Sequence, residues 1–144
     1  MFLNKKCCLA LAVLTAIAHH AASGSKVSAS ALVERYQLPT RALEPILQHL
    51  ARAGFIHSVR GGSGGYEVIQ PNTTTVANVV QSILPDALPT QPLPVFQPVL
   101  DSLVLPLEIG MLKQLQTVTI ADLADKADAI GISKAMEPLL NYSI

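Results

Sequence analysis

Residues 28–70 read SASALVERYQLPTRALEPILQHLARAGFIHSVRGGSGGYEVIQ, and the order of signals in this stretch decides the fold. Ser28 caps a helix that carries Ala31, Leu32 and Val33 on to Tyr36, and Gln37-Leu38 makes a short turn. Pro39 opens a second helix, predicted over 39–53, at a first-turn position where a missing N–H leaves no gap in the ladder. Leu43, Ile46, Leu47 and Leu50 recur along it at helical spacing. Pro45 inside this helix should bend it or loosen one backbone hydrogen bond, and Gly54 supplies the left-handed residue that ends it. Phe55 to Arg60 and Tyr66 to Gln70 then alternate as strands around the tip Gly61-Gly62-Ser63-Gly64-Gly65.

The second helix presents Thr40, Arg41 and Glu44 near its N-terminal end, and the hairpin carries Arg60 ahead of its glycine tip. A helix with polar and basic side chains at its start, followed by a basic wing, is the pattern by which small proteins read duplex DNA. Glycine-rich loops also cradle nucleotide phosphates, but those lead from a strand into a helix, with a Lys in the phosphate-loop case. This one leads into Tyr66-Glu67-Val68-Ile69, a strand, so a nucleotide site is not expected.

The chain has 144 residues, half of them hydrophobic, and a formal net charge of zero. Its charges are segregated: residues 1–70 hold seven Lys/Arg against three acids, and residues 71–144 hold three Lys against seven acids. A basic half joined to an acidic half suits a phosphate-facing module coupled to a part that faces protein. With so little net charge, affinity for DNA has to come from geometry. No nucleophile–base motif or metal cluster is present and the acids read as solvated helix faces, so an enzyme is not expected.

Met1 to Gly24 has lysines, an apolar run from Cys7 to Ala18 and then small residues, the outline of a secretory leader. The competing reading is a buried helix over Asn4 to Ala21, with Leu3, Leu11, Leu14 and Ile17 facing a core. A three-helix winged module needs a first helix to cover the other two, and this is the only candidate. A cytoplasmic protein that does not enter a membrane is therefore expected. Cys7 and Cys8 are the only cysteines, and adjacent cysteines would close a strained ring, so no disulfide framework is read. The four histidines (His19, His20, His49, His57) lack metal-site spacing with them.

Beyond the hairpin, Thr73 to Leu84 reads as a short helix capped among the threonines. Pro85 to Pro94 contains four prolines and reads as a stiff linker. From Val95 to Gln116, Phe96, Val99, Leu100, Leu103, Leu107, Met111 and Leu115 fall on a stripe with helical spacing. Pro98 fits near the start of this helix, while Pro106 and Gly110 should kink it. The domain is too small to bury the whole stripe, so a dimer seam is the expected use. Thr119 caps a last helix through Ala127, and residues 131–144 carry little specification. The expected organisation is a DNA-binding domain over 1–84, the linker 85–94, a dimerisation helix and closing helix over 95–128, and a tail over 129–144. The fold class is mainly α with a small β wing.

Several of these segments resemble the Rrf-two family of bacterial winged helix-turn-helix regulators. They are Met1-x-Leu3 with Lys6 before an Ala/Leu-rich helix, Leu43-Glu44-x-Ile46-Leu47, Leu50-x-x-Ala53-Gly54 and Ser58-Val59-Arg60-Gly61-x-x-Gly64-Gly65-Tyr66. Asp101 to Leu103 and Thr119-Ile120-Ala121-Asp122-Leu123 resemble the family's dimerisation and closing helices more weakly. The resemblance implies a homodimer on a pseudo-palindromic operator, with half-sites about 34–36 Å apart. It places Arg41 and Glu44 toward the major groove, where Arg41 forks onto guanine and Glu44 accepts from cytosine N4. It places Arg60 in the minor groove, with Gly61, Gly62, Ser63, Gly64 and Gly65 against the DNA backbone and Thr40 at a phosphate. A bland alternative for Glu44 is a surface ion pair with a neighbouring Arg.

Family members that bind an iron–sulfur cluster resemble each other in three cysteines between the short helix and the dimer helix. Here that region, Pro85 to Pro94, has none, so no cofactor or metal is expected. Cys8 falls where some members supply a non-cysteine cluster ligand. Two alternatives to a cluster-free DNA-binding regulator stand: thiol-based redox sensing through Cys7 or Cys8, and a winged-helix interaction module that does not bind DNA. A small apolar effector between the domain and the dimer helix is left open.

Overall fold

A computed structural model of the protein describes residues 3–22, 26–61, 64–84 and 93–132. Among these, the elements run α1 (Lys5–Ala21), α2 (Ala29–Tyr36), α3 (Thr40–Arg52), β1 (Ile56–Val59), β2 (Gly65–Val68), α4 (Val76–Ile83), α5 (Gln97–Leu115) and α6 (Ile120–Ala129). The architecture is mainly helical with one two-stranded antiparallel sheet.

Helix α1 starts where the Asn4 side chain accepts a hydrogen bond from the Cys7 N–H at 2.8 Å. It buries Cys7, Ala10, Val13, Leu14, Ala16 and Ile17, together with His19 and His20. The apolar run with the outline of a leader is therefore the central helix of the domain. Leu14 and Ile17 are fully buried as expected, while Leu3 and Leu11 pack at the margin of the core. Each fully buried Leu or Ile contributes about 1.5–3 kcal/mol relative to exposure. Among the described residues, no helix is long and apolar enough to cross a membrane.

The Ser28 hydroxyl accepts from the Ala31 N–H at 3.2 Å, which sets the start of α2. That helix ends on Gln37 in the left-handed conformation, at φ 56°. Pro39 stands just before the first turn of α3, as its N-cap, and not inside that turn as the sequence suggested. The helix passes through Pro45 without a break. A proline has no N–H, so the carbonyl of Arg41 loses its helical donor there. Leu43, Ile46, Leu47 and Leu50 all turn into the core. At the other end, the Phe55 N–H donates to Leu50 O at 2.9 Å and the Gly54 N–H to Ala51 O at 3.2 Å. This double closure needs a left-handed residue, and Gly54 sits at φ 84°.

The strands are shorter than the alternation implied and pair in the register Ile56↔Val68, His57↔Glu67, Ser58↔Tyr66 and Val59↔Gly65. Val27 adds a bridge on the far side of β2, where the Tyr66 N–H donates to Val27 O at 2.8 Å. The wing is thus fastened to the segment that leads into α2.

Helices α4 and α6 begin in matching ways. Thr75 and Asn78 form one reciprocal capping box, and Thr119 and Asp122 form another. The two helix starts are also joined to each other: the Val76 N–H donates to Val118 O at 2.8 Å and the Ile120 N–H to Thr74 O at 2.9 Å. From there α6 packs along α1, with Ile120 and Ala127 buried and Leu123 against the core. The closing helix therefore completes the core of the N-terminal unit, and α5 is an excursion between two anchored points. Replacing Thr119 by Ala removes an acceptor from the N–H of Asp122. The expected result is a loss of about 0.5–2 kcal/mol in urea unfolding, and a smaller change would mean that the backbone tie alone sets the helix start.

Helix α5 buries none of its residues. Phe96, Val99, Leu100, Leu103 and Leu107 are exposed, Leu103 at 63%. Met111 and Leu115 are partly buried, and Leu115 packs on the protomer's own core. The apolar surface is wider than the single stripe read from spacing, because Val104, Leu105 and Ile109 are exposed as well. Pro98 lies in the first turn, as expected, and Pro106 lies inside the helix without ending it. Of the proposed linker, residues 85–92 lie outside the described residues, as do residues 133–144 of the tail.

Candidate nucleic-acid interface

Thr40, Arg41 and Glu44 lie in the first two turns of α3 and are all exposed. Their helix is held from behind by Leu43, Ile46, Leu47 and Leu50, so the polar side is the side left facing outward. Pro39, the N-cap of α3, makes no side-chain cap hydrogen bond to the first-turn N–H groups. Thr40, Glu44, Leu43 and Leu47 border a shallow cavity of about 180 Å3 together with Ser30 and Val33 of α2 and Tyr66 of β2. The start of α3 and the base of the wing therefore share one concave face. Ser30 and Tyr66 were not singled out from the sequence, because nothing local marks residues that meet only after α2, α3 and β2 pack.

Arg60 follows β1 directly and is exposed, as is Gly61. Among the described residues, Arg41, Glu44 and Arg60 make no ion pair, so the bland pairing considered for Glu44 is not seen. Glu67, the acid on the wing, faces the His57 Nε2 at 3.0 Å across the ladder. Gly62 and Ser63 lie outside the described residues. Gly64 and Gly65 are partly buried, and the structure gives Gly65 a reason of its own. A Cβ there would stand 2.6 Å from Val27 O, inside the close approach that fastens the wing.

Behind this face, two buried histidines tie the end of α1 to α2. His19 Nδ1 shares a hydrogen bond with the Tyr36 hydroxyl at 3.0 Å. Arg35 Nη1 lies 3.0 Å from His20 Nδ1. A guanidinium can only donate, so His20 accepts there and is neutral. Burial, and then the positive charge of Arg35, hold the His20 pKa below the ordinary value of 6.5. The sign follows directly. The unfolded chain binds more protons between the lowered value and 6.5, so stability is full above 6.5 and falls as pH drops through that window. The expected result is a falling Tm between pH 7 and pH 5, with that slope reduced in His20→Asn, which keeps an acceptor but does not titrate. An unchanged slope would assign the acid sensitivity elsewhere.

The two cysteines separate in space. Cys7 is fully buried, and burial pushes its thiol above the usual value. Cys8 is exposed, with Sγ 3.8 Å from Leu3 O.

A helix-turn-helix whose second helix is exposed at its start and followed by a β wing defines a winged helix-turn-helix DNA-binding fold. Family comparison gives the particular class. The model of the Rrf2 family, described as iron-dependent transcriptional regulator, matches residues 3–126. The chain belongs to the Rrf2 family of transcriptional regulators and is not an enzyme. Among solved structures, it is similar to CymR of B. subtilis, at 22% identity and a TM-score of 0.70 over 85% of this chain and 95% of that one. It is also similar to T. potens IscR, at 23% identity and a TM-score of 0.73 over 92% of each chain. The oxidized form of Staphylococcus aureus CymR shares 21% identity and a TM-score of 0.68, over 87% of this chain and 97% of that one. No curated protein matches the sequence.

The family description names iron, so the donor set matters. The chain has two cysteines, one buried in the core and one exposed. Among the described residues, no three His, Cys, Asp or Glu side chains come together in a way that could hold a metal. These residues do not fit a cluster held by thiolates.

Proposed function

We propose that the protein is a cytoplasmic, sequence-specific transcriptional regulator that binds a pseudo-palindromic operator as a homodimer and works without an iron–sulfur cluster. The observation that carries this reading is the exposure of Arg41 and Glu44 on α3 and Arg60 at the wing, without ion-pair partners among the described residues. In this reading Arg41 and Glu44 address base edges in the major groove. Arg60 enters the minor groove, and Thr40 with the uncapped start of α3 meets a phosphate. Gly61 to Gly65 keep the wing tip close to the DNA backbone. The exposed apolar surface of α5 supports the dimer, since large apolar patches mark interaction sites. The absence of three cysteines supports operation without a cluster.

The test is selection of bound fragments from the source genome by the purified protein, followed by titration at several salt concentrations. The expected result is an enriched palindromic motif whose affinity falls steeply with salt. A folded dimer that enriches no motif and shows no salt dependence would overturn DNA reading in favour of a protein-interaction module. A thiol-responsive form of the same function has one observation behind it, the exposure of Cys8. Operator binding that responds to peroxide in the parent but not in Cys8→Ser would establish it.

A further inference from the structure

Helix α3 carries one residue whose cost to the fold is not returned by packing. Pro45 lies inside Thr40–Arg52, past the first turn where a proline is tolerated. In a helix interior proline is the least favourable residue, because it has no N–H and its ring crowds the carbonyl one turn back. The core does not offset that cost, since Pro45 is exposed.

Its place on the helix gives it a use. Successive residues are about 100° apart, and Leu43, Ile46, Leu47 and Leu50 fix the inward direction. On the opposite side stand Arg41, Pro45, Gln48 and Arg52, all of them exposed. Pro45 is thus the apolar centre of a polar face, with Arg41 one turn before it, Gln48 one turn after it and Glu44 beside it. The side chains of Arg, Glu and Gln address base edges through hydrogen bonds. A proline ring offers none, and presents instead a small apolar surface held rigidly against the backbone. It has no rotamer freedom to lose when it is covered. In the major groove, the apolar group that a base pair displays is the C5-methyl of thymine.

We propose that Pro45 reads a thymine methyl in each half-site, and so sets a base preference that the charged residues of α3 do not. The proposal rests on the DNA-reading function above and adds to it a residue and a base. Pro45 stands about 6 Å along the helix axis from Arg41. That is less than two steps of about 3.4 Å between base pairs, so the thymine is expected within two base pairs of the one that Arg41 contacts.

The experiment uses the full chain and the operator recovered by fragment selection, with deoxyuridine replacing each thymine in turn in both half-sites together. Deoxyuridine keeps every hydrogen-bonding group of thymine and lacks only the methyl. A methyl buried against Pro45 is worth about fourfold in affinity, so two half-sites give about 15-fold. The expected result is a loss of that size at one symmetric pair of positions in the parent, and none there in Pro45→Ser. Pro45→Val restores the N–H but keeps an apolar side chain, so it should retain the loss. This separates contact with the methyl from any effect of proline on the shape of the helix. Both variants should also unfold at a higher urea concentration than the parent, because an exposed stretch of helix regains a hydrogen bond.

An operator that is bound tightly, with no position at which the deoxyuridine penalty depends on Pro45, would overturn this proposal alone. Lower urea midpoints in both variants would overturn it too, since Pro45 would then serve the fold. A folded parent that enriches no motif and binds no duplex would overturn the DNA reading itself, and this proposal with it.

Discussion

Arg41→Ala and Arg60→Ala will each weaken operator binding strongly while leaving the unfolding curve of the protein in place. Both side chains are exposed, so their removal costs the fold little. A bidentate Arg–guanine contact is worth about 1–3 kcal/mol of discrimination. For Arg41 that is about 5- to 150-fold in each half-site. A homodimer carries two copies, so the factor is squared, to about 30-fold at the low end and about 20,000-fold at the high end. The two substitutions should also differ in kind. Arg41→Ala relaxes the preference for one base pair, whereas Arg60→Ala reduces the preference for a narrow, A·T-rich minor groove. Fluorescence anisotropy against the selected operator and single-base variants reads both. If either variant binds like the parent with the same sequence preference, that residue does not read DNA.

Leu103→Glu will convert the proposed dimer into monomers and abolish operator binding at concentrations where the parent is saturated. Leu103 is 63% exposed in the protomer, so the carboxylate costs the isolated chain little. In a seam formed by α5 it would be buried without a counter-charge. A lone buried charge costs about 3–5 kcal/mol, two to four orders of magnitude in dimer dissociation. Sedimentation equilibrium reads the assembly state directly, and circular dichroism reads the fold. A Leu103→Glu protein that remains dimeric would move the seam away from this position. Leu105→Glu then tests the other side of the helix, which is equally apolar.

Much of the fold could be read from local chemistry. Ser28, Thr75 and Thr119 cap the helices that follow them, and Gly54 ends α3, because caps depend on residues a few positions away. The core face of α3 was legible for the same reason, since Leu43, Ile46, Leu47 and Leu50 share a helical period. What local chemistry did not reveal is long-range. Gly65 looks like part of a flexible tip, yet its smallness answers to Val27, nearly forty residues earlier. His19 and His20 read as ordinary, and only the packing of α2 against α1 turns them into a buried polar seam with Tyr36 and Arg35. Of the candidate site, Arg41, Glu44 and Arg60 were legible from residue type and place. The shared concavity with Ser30 and Tyr66 was not, because three elements have to meet before it exists.

The paired starts of α4 and α6 have a mechanical consequence. A helix of 19 residues spans about 28 Å, and α5 leads into a segment whose Val118 is hydrogen-bonded to the first residue of α4. Such an arm is clamped at its base and has little freedom to swivel. In the proposed dimer, two clamped arms act as a fixed gauge for the distance between reading heads. One added base pair between half-sites shifts the second site by about 3.4 Å and turns it by about 35°. A gauge without play meets only one of those two operators, so the knot of threonines far from any base would help to decide which spacing the protein accepts.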